Sequence, residues 1–277
     1  MNPAETYPAV VVPVYREDLP VEEWAALTNN LDKLAAYDCY LVGPKGMDYS
    51  NYTARWPEIR VCTFAEMYFK DLTGYNRLMV SIGFYRAFST YSHILICQTD
   101  AFVFSDELMS WCDRGYDYVG APVHDILPDK FSERIPVVTL NGGFSLRKVG
   151  ASLKVLSSFR TIYSFRDIFR ANLMEKGWKG ILPALYFYFF GNNTFHLFNR
   201  YDRNEDIFWA IKVPEKFTWF HAPLPVDSAF FAADNKPERT LALTAGQLPF
   251  GCHAYQTHPD TWKAYIPDIC WKHPAIA

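Results

Sequence analysis

The chain has 277 residues, of which 50% are hydrophobic, 17% aromatic and 21% charged, with a net charge of −3. That composition builds a core and excludes a disordered chain, and the length suits one α/β domain or one domain with a sizeable insert. No long basic run accompanies the near-neutral charge, so sequence-independent nucleic-acid binding has no electrostatic basis and no nucleic-acid partner is expected. Along the chain, the β-branched run 9–14 predicts a first strand, closed near Pro13. Residues 20–37 carry Trp24, Leu27, Leu31 and Leu34 at helical spacing. Strands follow at 39–42 and 60–64, then a helix over 75–88 and a strand over 93–100. Strands alternating with helices predict a mostly parallel sheet with crossover helices on its faces.

Beyond Asp100 the pattern changes. A short strand is expected over 116–121, a polar loop over 124–136, and a strand containing a glycine pair over 137–147. Residues 148–160 read as helix, and 162–198 are aromatic with no clean period. A helix opens at Asn204, and the loop-rich last third has strand-like pieces at 228–232 and 241–243. The six cysteines are far apart and none forms a CxxC pair, so they read as reduced, mostly buried thiols. Residues 1–5 lack the basic-then-apolar pattern of a signal peptide, and no run approaches the roughly 20 apolar residues of a membrane span. A cytoplasmic location is the expectation.

Asp100 ends an apolar run that reads as a buried parallel strand. Ligands of open α/β sheets sit at the carboxyl ends of such strands, where a carboxylate can hold a divalent cation against a phosphate. Three later segments could complete the site: Asn141-Gly142-Gly143-Phe144, Asn204-Glu205-Asp206 and Phe250-Gly251-Cys252-His253. Each has a structural explanation as well. Asp100 could cap the following turn, the glycines could form a β-bulge, and carboxylates at a helix start are favoured by the helix dipole.

Together with Gln98-Thr99-Asp100, these segments occur in the order of landmarks in GT-A-fold glycosyltransferases. The chain most resembles the glycosyltransferase-like DUF5672 group, from the first strand to His253. The resemblance implies a GT-A-like, Rossmann-like α/β fold in one domain over 1–277. A nucleotide-sugar-binding half would span about 9–121 and an acceptor and catalytic half about 137–260, with an aromatic insert near 158–200. It implies transfer of a sugar from a nucleoside diphosphate sugar to a hydroxyl of a glycan or lipid-linked glycan. Asp100 falls on the last member of the metal-binding Asp-x-Asp motif, with Gln98 in place of the first carboxylate. His253 would be a further ligand of Mn²⁺ or Mg²⁺, with Gly251 allowing close backbone approach.

By the same resemblance, Asp206 would be the general base of an inverting displacement, with Glu205 bonding the acceptor. Asn141, Gly142 and Gly143 would meet sugar hydroxyls. Pro13, Val14, Tyr15 and Arg16, with Gln98, Thr99 and Asp100, would receive the donor, Tyr15 stacking on the base and Arg16 meeting phosphate. A retaining outcome stays open, as does the oligomeric state. The basic, aromatic insert reads first as a second small core or a dimer contact, with peripheral contact with a membrane's inner face as the alternative. Two alternatives remain. One is a non-catalytic glycan- or nucleotide-binding protein on the same fold. The other, a sugar nucleotidyltransferase, is disfavoured by the lack of glycines after the first strand.

Overall fold

The computed structural model describes residues 7–124, 127–128, 134–135, 140–199, 201 and 203–271. Among the described residues eleven strands are formed: β1 (Ala9–Pro13), β2 (Asp38–Pro44), β3 (Arg60–Phe64), β4 (His93–Cys97), β5 (Phe102–Val103), β6 (Tyr118–Val119), β7 (Leu127–Pro128), β8 (Arg134–Ile135), β9 (Phe144–Lys148), β10 (Ala232–Ala233) and β11 (Gly251–Cys252). Six of them make the central sheet, in the order β3-β2-β1-β4-β9-β6. The β1–β2, β2–β3 and β1–β4 pairs are parallel, and β9 runs antiparallel to both β4 and β6. This is the expected mostly parallel α/β sheet.

Alternation of side chains splits each central strand between two cores. Ala9 and Val11 of β1, with Ile94 and Ile96 of β4, face one cluster that includes Leu78, Phe84, Tyr85 and Trp209. Val10 and Val12, with Leu95 and Cys97, face the other, with Trp24, Leu27, Tyr52 and Trp111. Helix α1 (Val21–Lys33) buries Trp24, Leu27 and Leu31 as its spacing requires. All six cysteines are free thiols, four of them buried.

Several boundaries differ from the sequence reading. The helix expected over 75–88 is two, α3 (Leu72–Met79) and α4 (Ile82–Ala87), counting α2 (Ser50–Arg55) before them. Ser81 has extended backbone between α3 and α4, and its hydroxyl accepts from the Phe84 amide at 3.2 Å. The hydroxyl thus starts a new helix instead of riding within one. The strand at 137–147 begins only at Phe144, and 137–139 lie outside the described residues. The strand-like pieces at 228–232 and 241–243 are mostly helical, within Pro225–Phe231 and Pro237–Leu243. A proline at the first position starts each helix, its fixed φ suiting that position. The insert lacks a period because its turn type changes repeatedly. After α5 (Leu108–Asp113) and α6 (Val149–Leu156) come α7 (Phe165–Lys176), a 3₁₀ turn (Gly177–Gly180), α8 (Ile181–Tyr186) and a π turn (Phe187–Gly191).

Candidate active site

Strand β4 stops at Cys97, and the chain turns at once. The Ala101 amide donates to the Gln98 carbonyl at 3.0 Å, and the Gln98 amide to the Gly143 carbonyl at 3.0 Å. The Asn30 amide group of α1 locks this turn, donating to Ala101 O and accepting from Val103 N, both at 2.8 Å. Asp100 is thereby held at the lip of the sheet with its side chain 44% exposed. Beside it opens a cleft of about 440 Å³, lined by Pro13, Tyr15, Arg16, Gln98, Thr99 and Asp100 among others. Six of the seven residues expected at the donor therefore face one space.

Val14 is the exception. It is 1% exposed, packs in the α1-side core, and its amide donates to Val42 O at 2.8 Å. Alternation along the strand sends its side chain inward while Pro13 and Tyr15 face the cleft. Tyr15 is 62% exposed. Arg16 donates to both oxygens of Glu23, at 2.9 and 3.0 Å, and Glu23 accepts a third bond from Thr99 Oγ1 at 2.7 Å. The buried Glu23 thus sets the guanidinium and the Thr99 hydroxyl together on the cleft wall.

A second, small sheet, β10-β11-β5, abuts this lip. His253 directly follows β11 and Asp234 directly follows β10, and the His253 amide donates to Ala233 O at 2.9 Å. The imidazole lies between two carboxylates, with Nδ1 3.0 Å from Asp234 Oδ1 and Nε2 3.3 Å from Asp100 Oδ1. Gln98 Oε1 is also 2.9 Å from Nε2. Burial alone would lower the His253 pKa, but its bonds to Asp100 and Asp234 and their charges push it up to about 10. Burial likewise works to raise Asp100, yet the His253 hydrogen bond and charge bring it below the usual carboxylate range.

Both ring nitrogens thus face carboxylate oxygens, and those carboxylates favour the charged ring. Among the described residues no three His, Cys, Asp or Glu side chains are grouped to hold a metal ion. The expected Asp100–His253 ligand pair for Mn²⁺ or Mg²⁺ does stand side by side, with Nε2 and Oδ1 3.3 Å apart. Of the two carboxylates at the ring, Asp100 is the more exposed, its side chain at 44% against 25% for Asp234.

The glycine pair lies beneath this triad. Both glycines are buried. A methyl at Gly142 would collide with the Glu205 carboxylate, and one at Gly143 with the His253 ring and Gln98. The glycines admit protein side chains, which corrects the expectation that a sugar rests on them. Asn141 is also committed, its Oδ1 accepting from the Gly143 and Phe144 amides at 3.0 and 3.1 Å. Its Nδ2 lies 3.2 Å from His253 Nδ1. Gly251 is packed in the same way: a methyl there would enter the Phe144 ring.

On the far side of the glycines stands α9 (Glu205–Ile207), running into a π turn (Phe208–Lys212) that buries Phe208 and Trp209. The Trp209 indole donates to Met79 O at 3.0 Å, fixing this segment to α3. Glu205 is not at an acceptor surface. Its carboxylate is 4% exposed and accepts from Arg147 Nη2 at 2.7 Å. Burial alone would lower the Arg147 pKa, but the Glu205 charge holds the guanidinium ionised. Arg147 further donates to the Ser145 and Tyr85 hydroxyls at 3.0 and 3.1 Å. Asp206, next in the chain, is half-buried and accepts from the Ile207 amide at 2.7 Å. Burial first, then the neighbouring Glu205 charge, push its carboxyl up to about 8.

The structure thus brings Gln98, Asp100, Asn141, Gly142, Gly143, Glu205 and His253 into one contact network, with Asp206 directly beside Glu205 in the chain. Sequence reasoning missed Glu23, Asp234 and Arg147, and the cleft-lining Lys70. Asp234 ends an apolar run much as Asp100 does, which was a usable signal. Nothing in the local pattern marks Glu23, which reads as one more acidic residue in a first helical turn.

No curated protein matches the chain. Among solved structures, the galactosyltransferase LgtC in complex with donor and acceptor sugar analogs is 10% identical at a TM-score of 0.48, covering 88% of this chain and 86% of that one. Core-mannan synthase A from Aspergillus fumigatus, in an Mn/GDP form, is 11% identical at 0.40, covering 71% and 70%. A glycosyltransferase involved in glycosylating the major capsid of PBCV-1 is 8% identical at 0.39, covering 89% and 92%. Likenesses this distant carry nothing about the chemistry of this chain. A family model, by contrast, matches residues 58–253, most of the sequence. The chain belongs to the DUF5672 family, described as proteins of unknown function.

Proposed function

We propose that this protein transfers a sugar from a nucleoside diphosphate sugar to a hydroxyl of a glycan acceptor, with inversion. One arrangement carries the reading: a cleft at the strand ends with Arg16 and Lys70 on its wall, and, beyond the buried glycine pair, Asp206 on a helix start, its carboxyl pushed up to about 8 by burial and the Glu205 charge. Tyr15 and Phe69 offer rings to the base, and Arg16 and Lys70 offer charge to the diphosphate. In the reaction, the acceptor oxygen attacks the anomeric carbon as the bond to the diphosphate oxygen breaks. The leaving electron pair stays on the diphosphate, where cationic side chains offset it. The acceptor proton passes to Asp206, whose raised pKa suits a base working near neutrality.

Glu205 and Arg147 act beneath this chemistry. Their buried pair holds the helix start against Gly142, and so aims Asp206. A divalent cation arriving with the donor would meet Asp100, with Asp71 on the same cleft wall, and no step is assigned to it.

The test is release of nucleoside diphosphate from a panel of UDP-, GDP- and dTDP-sugars with mixed oligosaccharide acceptors, with and without Mn²⁺. Release from at least one donor is expected, and faster with acceptor present. Saturable nucleotide binding with no release from any donor would favour the non-catalytic alternative and overturn the proposal.

A further inference from the structure

The aromatic insert takes no part in the cleft, and its surface is unlike the rest of the molecule. Helix α7, the 3₁₀ turn after it, α8 and the π turn form a helical hairpin with large apolar side chains in water. Trp178 and Leu182 are each 77% exposed, Met174 73%, Phe189 67% and Phe190 64%. Trp178, Leu182, Tyr186 and Phe190 recur every fourth residue, which places them along one side of the second limb. Ring contacts run on from there: Phe190 meets Tyr186 at 5.2 Å, and Phe189, Tyr188, Phe165 and Phe169 form a chain with centroids 5.2–5.4 Å apart. An exposed cluster of this size needs a partner.

Charge identifies the partner. Between residues 165 and 191, the hairpin itself, the sequence has four Lys and Arg against two Asp and Glu, in a chain whose net charge is −3. The acidic excess therefore lies elsewhere, and the hairpin is a basic segment of an acidic chain. Arg166, Arg170, Lys176 and Lys179 are all exposed, and the Lys179 ammonium lies 5.9 Å from the Trp178 ring centre. Tryptophan between lysines, beside exposed aliphatic side chains, suits the headgroup layer of a bilayer, where the ring enters and the ammonium stays wet. Among the described residues no helix is long and apolar enough to cross a membrane, so the hairpin would lie on the surface.

We infer that this hairpin docks the protein on an anionic membrane surface. The acidic remainder of the chain is repelled by the same lipids, which turns the basic segment toward them. The inference stands apart from sugar transfer, and its test reads no turnover.

The experiment is flotation of the full chain with vesicles of phosphatidylglycerol and phosphatidylcholine, or of phosphatidylcholine alone. The wild type should float with the anionic vesicles, lose binding on addition of salt, and stay behind with the neutral ones. The double variant Lys176→Glu, Lys179→Glu should bind at least about tenfold more weakly. Trp178→Asp with Leu182→Asp should abolish flotation, and thermal melts matching the wild type would show that both variants fold. Equal flotation on neutral vesicles, or variants that bind like the wild type, would overturn the inference. So would a wild type that ignores vesicles but forms a dimer that Trp178→Asp dissociates, since a second copy would then cover the face.

Discussion

Asp206→Asn is expected to fold, to bind nucleotide as the wild type does, and to lose about 10²- to 10⁴-fold in turnover. The substitution keeps the shape of the side chain and its bond from the Ile207 amide, and removes only the ability to take a proton. The pH profile carries the sharper expectation. The carboxyl is raised to about 8, so at pH 6 most molecules hold the proton and lack a base. Wild-type turnover should rise with pH and level off above about 8, while the residual activity of the Asn variant should lack that rise. Stopped assays across pH 5.5 to 9.5 check both. A variant with wild-type rates, or the same rise in both proteins, contradicts the assignment of the base.

The second large effect is structural. Arg147→Met should cost about 3–5 kcal/mol, because it strands the Glu205 carboxylate in a buried setting with its strongest partner gone. For a chain of this size that is a fall in Tm of roughly 6–20 °C. Adding Glu205→Gln to Arg147→Met removes the orphaned charge and should restore much of the loss, since replacing both members of a buried pair is far less damaging than breaking it. Denaturant melts of the wild type, both single variants and the double variant close the cycle. Additive losses in the double variant would show that the pair does not act as a unit. If the pair also aims Asp206, the double variant should recover stability while turnover stays low.

Legibility in the sequence divided along physical lines. Strand β3 stands at its expected bounds and β1, β2 and β4 within a few residues of theirs, because continuous apolar runs bounded by turn residues have few other ways to fold. Asp100 at a strand end, Arg16 after the first strand and Asp206 at a helix start follow from the same periodicities. What sequence did not show were contacts between distant segments. Glu23 joins Arg16 to Thr99, 76 positions further on, and Arg147 joins Glu205 across 58. No local pattern encodes such pairs.

The glycines show the same limit. Gly142-Gly143 reads as a motif that admits a ligand, yet the neighbours admitted are Glu205 and His253. His253 was legible as a candidate site residue but not as one held between two carboxylates. That position depends on Asp234, which reaches Nδ1 only once β10 and β11 pair. The 228–232 and 241–243 segments misled because apolar residues in short runs suit a buried helix face as well as a strand.

The central claim is that the cleft at the ends of β1 and β4 receives a nucleoside diphosphate. Calorimetric titration of UDP, GDP and dTDP into the wild type and Arg16→Ala, with and without Mn²⁺, tests it most directly. Saturable binding of at least one nucleotide to the wild type, weakened about tenfold or more when the charged contact from Arg16 is lost, is the predicted result. Absence of binding by all three, or equal affinity in both proteins, would contradict it.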